Sequence, residues 1–499
     1  MQAHRLAWRL PLARLCAEAR GLVRSRFARN WSCLVASSLV CQGLGMLSTI
    51  RIARELAPAG YGRYNLTQTL AGLGVVLAEL GLRNVVIRET ARRPERSGEL
   101  LLISGLLRGA ALAVAAGGIL AYGRLSESGV SLAFGAAAMG MMIGQSAWDL
   151  LEYIAFGHER MEYSAGINLA GSAIWMFAVW GAPRAWLTAA HVSLGYALLQ
   201  SGKALAYGLA VRRAGYARGG ARRASWRASA TWLAGQGMPF YWLTLLTAAS
   251  NQLPVLFLNH RSGAAQVGLY HLGWRLTNPL QMLVLAALSA LYPGLSQAGA
   301  ADAGRFMRSV ERALVGITLL GVAGAAAISL LRQEVVLLLF GPAYRATADA
   351  MAYQCWYTEL LSVYSLIGTA LAARDRQKWL AGLCTCYTAL ATPILWWGAG
   401  RGATGLALAI VAGAVLNMGY HWEVFQRSLP RRLGAAYTLR LLALQGAGMA
   451  LAWLVPPGLP LAARLALALM GLAAALGAAL ALFMAGEGRR PTSAGALAE

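Results

Sequence analysis

This sequence is poor in charge, and poorest in acid. Charged residues occupy 13% of its 499 positions, with 20 Asp and Glu against 44 Lys and Arg. A soluble domain is about one-quarter charged, so a water-soluble multidomain chain is excluded. No G-x-x-x-x-G-K-[ST] occurs. The nearest string, Gly202-Lys203-Ala204, lacks the hydroxyl and the upstream glycine, which excludes P-loop ATP hydrolysis. There are six histidines and no H-E-x-x-H or G-x-S-x-G. The six cysteines (Cys16, Cys33, Cys41, Cys355, Cys384 and Cys386) show neither metal spacing nor a disulfide framework. No catalytic residue, metal site or bound cofactor is therefore expected. A membrane glycosyltransferase or ligase would need carboxylates in a sizeable outer loop. The outer connections here are short and nearly acid-free, which demotes a membrane-embedded polysaccharide polymerase or ligase to a minor alternative.

What is abundant is apolar length. Residues of the AVILMFWYC set make up 58% of the chain, and the mean hydropathy is +0.52. Apolar runs of about 20 residues, the length that spans hydrocarbon as a helix, recur throughout. Stretches such as Leu461 to Met484 do not alternate as a barrel strand must. The expectation is an all-α integral membrane protein of about fourteen transmembrane helices. The spans are placed near 31–50, 64–87, 99–122, 128–155, 163–182, 185–211, 230–258 and 264–297. The others lie near 306–331, 347–373, 378–398, 402–426, 436–455 and 459–485.

The net charge of +24 follows these spans. Basic residues crowd alternate connections: seven arginines lie in 1–30 and six between Arg212 and Arg227, with smaller groups at Arg88/Arg92/Arg93/Arg96, Arg305/Arg308/Arg312 and Arg427/Arg431/Arg432. Short basic connections stay cytoplasmic. This predicts an even span count and both termini in the cytoplasm, and it makes the charge topological, so no nucleic acid is expected as a partner. Residues 1–30 read either as a basic amphipathic segment on the anionic inner leaflet or as a disordered basic signal. The expected organisation is a six-helix lobe at 31–211, a cytoplasmic linker at 212–229 and a second six-helix lobe at 230–426. Two additional helices at 436–485 and a cytoplasmic tail at 486–499 complete it.

The halves carry an internal match. Ala59-Gly60-Tyr61-Gly62-Arg63-Tyr64-Asn65-Leu66 and Ala265-Gln266-Val267-Gly268-Leu269-Tyr270-His271-Leu272 share Ala, Gly, Tyr and Leu at one offset, and Leu70 matches Leu276. An even number of helices separates them, which predicts parallel repeats about a central cavity. Trp180, Trp186, Trp396, Trp397 and Trp453 fall at outer span ends, as interfacial belts do.

Charges inside spans are costly and mark function. Arg275 lies about seven residues into span eight, roughly 10 Å of rise from the outer end. A cation there suits a diphosphate or acidic sugar, or else snorkels to the outer headgroups. Asn278, Asn251 and Gln252 are placed beside it as cavity residues. Glu79 and Arg83 are four apart, so a helical ion pair is the default. Asp149 lines a cavity or pairs with Arg83, and Glu152 is read as solvated near the membrane surface. Arg108 and Lys203 are read as snorkelling. Glu359 has no partner legible in the sequence. Arg51 and Arg54 form an outer rim for anionic headgroups, or are ordinary interface charges. Pro239 and Pro254 interrupt span seven, and Pro279 and Pro293 span eight, as kinks in a moving or a static bundle.

Several stretches resemble a known family. Ile52-Ala53-Arg54-Glu55-Leu56-Ala57-Pro58-Ala59-Gly60-Tyr61-Gly62-Arg63-Tyr64 looks like the first hairpin of polysaccharide repeat-unit (Wzx-type) flippases, and Ala78-Glu79-Leu80-Gly81-Leu82 to Arg88-Glu89 like its continuation. Leu338-Leu339-Phe340-Gly341-Pro342-Ala343-Tyr344 resembles their segment before span ten, and Gly402-Ala403-Thr404-Gly405-Leu406 the start of span twelve. These proteins form a branch of the multidrug/oligosaccharidyl-lipid/polysaccharide flippase superfamily. The resemblance implies alternating access and a cationic cavity that takes a polyprenyl-diphosphate-linked saccharide for O-antigen, capsule or exopolysaccharide export across the cell inner membrane. Arg275-Leu276 followed by Pro279 looks like the cavity-arginine segment of the related lipid II flippases. Span one is uncharged, whereas theirs is basic, which counts against lipid II as cargo. A cation-coupled drug or metabolite antiporter is the alternative, demoted because spans one and seven contain no Asp or Glu. Coupling to a proton or sodium gradient, or removal of product, would drive transport. The implied partners, beyond the lipid bilayer and cargo, are a polysaccharide polymerase and chain-length proteins.

Overall fold

The computed structural model describes residues 26–125, 132–216, 226–372, 378–455 and short stretches between 459 and 477. The segment 1–25, residues 217–225 of the linker and the tail 486–499 lie outside the described residues, as does most of span fourteen. Among the described residues there are helices and turns and no strand.

The helices are α1 Arg26–Glu79, α2 Leu82–Arg92, α3 Ser97–Leu125, α4 Leu132–Gly157, α5 Met161–Gly181, α6 Ala189–Arg213 and α7 Trp226–Ser262. They continue as α8 Ala264–Ala301, α9 Ala303–Leu330, α10 Arg332–Phe340, α11 Thr347–Ala372, α12 Lys378–Ala399, α13 Gly402–Ser428 and α14 Ala435–Leu454. A helix lies at each of the first thirteen expected spans, α1 carrying the first and most of the second. Taken singly, Pro94–Arg124, Ala303–Leu330 and Gly402–Ser428 are long and apolar enough to cross a bilayer, and Ala36–Glu79 with Leu82–Arg92 qualifies as a bent pair. Leu198 (74% exposed), Leu205 (71%), Val114 (77%) and Leu338 (75%) leave large apolar side chains on the outer faces, as a lipid-facing surface does.

Two compact units emerge. Unit one comprises residues 1–56 and 67–248, and unit two residues 57–66 and 249–499. The division falls inside α7, between Ala248 and Ala249, rather than in the basic connection before it. The core of unit one gathers Leu82, Val85 and Val86 of α2, Leu100 and Ile103 of α3, Leu150 and Ile154 of α4, Val211 of α6 and Leu233 of α7. That of unit two is built by α8, α9, α11 and α13, with Phe306, Leu314, Leu366 and Phe425 at its centre.

The helix breaks are not at the four expected prolines. The backbone is helical at Pro239, Pro254, Pro279 and Pro293, and helix continues through all four. The breaks are at Ala57, where φ is 53° just before Pro58, and at Leu80–Gly81, where α1 and α2 meet at 51°. Proline disfavours the helical conformation of the residue before it, which accounts for the first. At the second, a Cβ on Gly81 would crowd the Gly237 carbonyl and stand 2.6 Å from the Tyr241 nitrogen, so this turn is held close against α7.

Residues 57–66 belong to unit two because the two copies of the internal repeat touch each other there. A Cβ built on Gly62 would overlap the carbonyl oxygen of Ala264 and stand 2.9 Å from the Gly268 nitrogen. One built on Gly268 would overlap the carbonyl oxygen of Pro58 and stand 3.0 Å from the Gly62 nitrogen. Gly62 and Gly268 are equivalent in the repeat, as are Pro58 and Ala264, so the contact is reciprocal. Small residues let membrane helices approach to this distance.

Candidate functional site

Each unit holds a polar interior. In unit one, α1, α2, α3, α4 and α6 bring together Glu79, Arg83, Arg108, Asp149, Glu152 and Lys203, three acids and three bases. No two of the six form an ion pair among the described residues. Glu79 and Arg83 do not make the expected i,i+4 pair, because the chain turns at Leu80–Gly81 between them and the helical register is lost. Asp149 does not pair with Arg83. It lies instead in the field of Arg108, Glu152, Glu79 and Lys203.

Two expectations are overturned here. Arg108 does not snorkel: it is 1% exposed, donates from Nη1 to the Ser146 carbonyl at 3.1 Å, and leaves Nε and Nη2 buried without hydrogen-bond partners. Arg108 and Arg83 both lie over the Tyr153 ring, at 5.4 and 5.6 Å from its centroid, a cation–π arrangement that offsets part of the cost of burial. Glu152 is not solvated either. It is buried, and its Oε1 accepts hydrogen bonds from Ser164 Oγ at 2.5 Å and Tyr207 OH at 3.0 Å. Asn168 Nδ2 donates to Ser164 Oγ and Tyr207 OH at 3.2 and 3.4 Å. The Nζ of Lys203 sits 3.7 Å from the centroid of the Trp148 ring, which stacks on Tyr207. Lys203 is thus packed into the unit rather than reaching for headgroups. Charges compensated through a field rather than by contact can exchange protons or cations without breaking a bridge.

Elsewhere in unit one, Arg51 is tied to Glu55 at 2.7 Å and lies 5.9 Å from the Trp180 ring centroid, while Arg184 joins Glu55 at 3.4 Å. Arg54 is exposed beside them.

In unit two a cavity of about 260 Å³ opens among α7, α8, α11, α12 and α13. Its α8 side carries His271, Trp274 and Gln281, and Asn278 completes the same 3-4-3 helical spacing. Tyr270, Tyr357 and Tyr387 supply further ring edges and faces, and Ser250 and Asn251 the amide and hydroxyl groups of α7. Trp274 meets Tyr357 edge-on at 5.5 Å. Of the expected cavity residues Asn251 is in this lining. Gln252, Arg275 and Asn278 are partly buried beside it, and Arg275 follows His271 by one turn. Arg275 forms no ion pair among the described residues. Glu359, in the core of the same unit, is paired after all, accepting from Gln445 Nε2 of α14 at 2.8 Å. Sequence reasoning misread Arg108 and Glu152 and missed the ring of tyrosines. The one signal that could have pointed to the cavity is the spacing of His271, Trp274, Asn278 and Gln281.

The geometry can be set beside known proteins. A model of the family described as polysaccharide biosynthesis protein matches residues 27–298, more than half of the chain. No curated protein matches it in sequence. Its fold is similar to that of the lipid II flippase MurJ in an inward closed conformation, with a TM-score of 0.63 at 10% identity over 91% of this chain and 97% of that one. It is also similar to an inward-facing multidrug resistance MATE family transporter of the MOP superfamily (TM-score 0.56, 15% identity, 79% and 98% covered). A third likeness is to the Vibrio cholerae MATE transporter VcmN (0.50, 15%, 82% and 97%). At such identities these structures speak for the fold alone. The chain is a multi-pass helical membrane protein with the fold shared by MurJ and the MATE transporters, and it belongs to the polysaccharide biosynthesis protein family.

Proposed function

We propose that this protein is a flippase that carries a polyprenyl-diphosphate-linked oligosaccharide from the cytoplasmic to the outer leaflet of the inner membrane by alternating access. On this reading both termini are cytoplasmic, about fourteen helices span the membrane, and the chain is not an enzyme. The observation that carries the cargo assignment is Arg275. A half-buried guanidinium with no carboxylate bound to it, inside a helix of this family, is a standing site for an anion, and the diphosphate is the anion every such cargo has in common. Asn278, Asn251 and Gln252 flank it for the sugar hydroxyls. The six balanced charges of unit one, Asp149 and Glu152 above all, supply groups through which a proton or sodium gradient would drive the cycle. Arg51 and Arg54 form the outer rim. A cation-coupled antiporter is the weaker reading, because a buried arginine repels a cationic drug.

The test is the lipid-linked saccharide in cells lacking the protein, with its leaflet determined. Accumulation on the cytoplasmic leaflet with loss of a surface polysaccharide is expected. Normal surface polysaccharide with greater sensitivity to cationic drugs would replace the flippase by the antiporter.

A further inference from the structure

The cavity of unit two has a composition that an anion site does not need. Its lining includes Ser250, Asn251, His271, Gln281 and the rings of Tyr270, Trp274, Tyr357 and Tyr387, and no Asp, Glu, Lys or Arg. Its volume of about 260 Å³ is below the roughly 300–1,000 Å³ of sites for drug-sized ligands, which is room for one ring and not for a chain of them. The Nε2 of His271 is buried there without a hydrogen-bond partner among the described residues. The side chain of Gln281 likewise has no hydrogen-bond partner among the described residues.

We infer that this cavity seats a single neutral sugar ring of the transported saccharide, a reading that rests on the flippase assignment above. A pyranose presents two kinds of surface: C–H faces, which lie against aromatic rings, and an equatorial belt of hydroxyls, which both donate and accept. Trp274 and Tyr357, edge-on to each other at 5.5 Å, offer two non-parallel walls for the faces. Asn251, Gln281 and Ser250 offer mixed donors and acceptors for the belt. A cation would also suit aromatic walls, but Arg275 lies one turn beyond His271 and acts on it directly, which opposes a second positive charge. An acidic sugar would face no cation in the lining itself. Neutral and hydroxylated is the ligand class that remains. With the diphosphate on Arg275, a ring in this cavity would make recognition bipartite: lipid-phosphate on the arginine, sugar identity in the pocket.

The experiment uses the full chain in lipid nanodiscs and saturation-transfer-difference NMR. The probes are methyl glycosides of glucose, galactose, mannose, rhamnose and N-acetylglucosamine, with methyl glucuronoside and tetraethylammonium for comparison. At least one neutral glycoside should receive saturation at its ring protons. Trp274→Ala and Tyr357→Ala should each lower its affinity about fivefold, the effect of losing one aromatic face, while Trp274→Phe, which keeps a face and guards against misfolding, retains it. Saturation of tetraethylammonium or the glucuronoside alone would overturn the inference. So would a glycoside signal indifferent to both alanine variants, or no signal from any neutral glycoside. Failure of the flippase assignment is read separately, by the leaflet measurement above. Cytoplasmic accumulation without glycoside binding sinks the pocket alone, and glycoside binding without accumulation keeps a sugar site and sinks the flippase.

Discussion

The reciprocal contact of Gly62 and Gly268 makes a prediction that tests the internal repeat energetically. Each glycine stands where a Cβ would collide with a backbone carbonyl of the other copy, Ala264 for Gly62 and Pro58 for Gly268. Backbone cannot swing aside as a flexible side chain can, so Gly62→Ala must push the two segments apart. Overpacking of this kind costs ~1–3 kcal/mol, and loss of the surrounding close contacts places the expectation in the upper half of that range. Gly268→Ala should cost a similar amount, because it separates the same two segments in the same direction. The double substitution should then cost little more than either alone, since the gap opened by one methyl accommodates the other. A coupling of about 1–2 kcal/mol is therefore expected where independent sites would simply add. The assay is reversible unfolding of the purified protein in mixed micelles, with the four proteins of the cycle compared under one condition. Two neutral single substitutions, or two costly ones that add in full, would refute the reciprocal packing and with it the argument that the repeat copies meet here.

Arg275→Ala should abolish surface polysaccharide while membrane insertion stays intact, and Arg275→Lys should restore only part of it, since a point charge replaces a fork; unchanged glycan output in the alanine variant would remove Arg275 from the site. Glu152→Ala strips the acceptor from Ser164 and Tyr207 and should destabilise by ~1–3 kcal/mol, with Glu152→Gln recovering most of it; equal melting temperatures for the two variants would refute the bonded, buried carboxylate. His158, in the turn after α4, bonds Ser97 Oγ at 2.9 Å and stacks on Tyr216 at 3.7 Å, and burial, then the Arg160 charge, holds its imidazole below the usual histidine range. A depressed histidine favours the folded state fully above about pH 6.5, its ordinary value, and the contribution is lost as pH falls below it; hydrogen exchange around Tyr216 should accelerate at pH 5 relative to pH 7.5, and equal rates would contradict the stack. Single cysteines at Ser225 and Ser262 should be labelled from the inside and the outside respectively, and the reverse would overturn the topology.

Much of the architecture was legible because membrane insertion is a local matter. Twenty apolar residues span hydrocarbon wherever they occur, and lipid forces the backbone to satisfy itself as helix. The helices therefore fall where apolar runs fall. The repeat was legible as well, since its identities sit at one offset. The fate of individual polar residues was not. Arg108 and Lys203 read as snorkelling because span position gives depth but not direction, and only packing against Tyr153 and Trp148 shows them turned inward. Glu152 read as solvated because its partners, Ser164 and Tyr207, belong to two other helices.

By itself, then, the sequence determined that this protein is a bundle of membrane helices carrying a short internal match, with a cation at Arg275 that has no acidic neighbour in its own helix. Tertiary structure alone decided that Glu79 and Arg83 do not pair, because the turn at Leu80–Gly81 is set by the approach of α7 at Gly237. It alone decided that Gly62 meets its own equivalent, and that eight polar and aromatic residues scattered from Ser250 to Tyr387 close one cavity. Span, charge and periodicity are properties of neighbours along the chain. Pairing, burial and cavities are properties of neighbours across it, and those are settled only when the helices have chosen which faces to bring together.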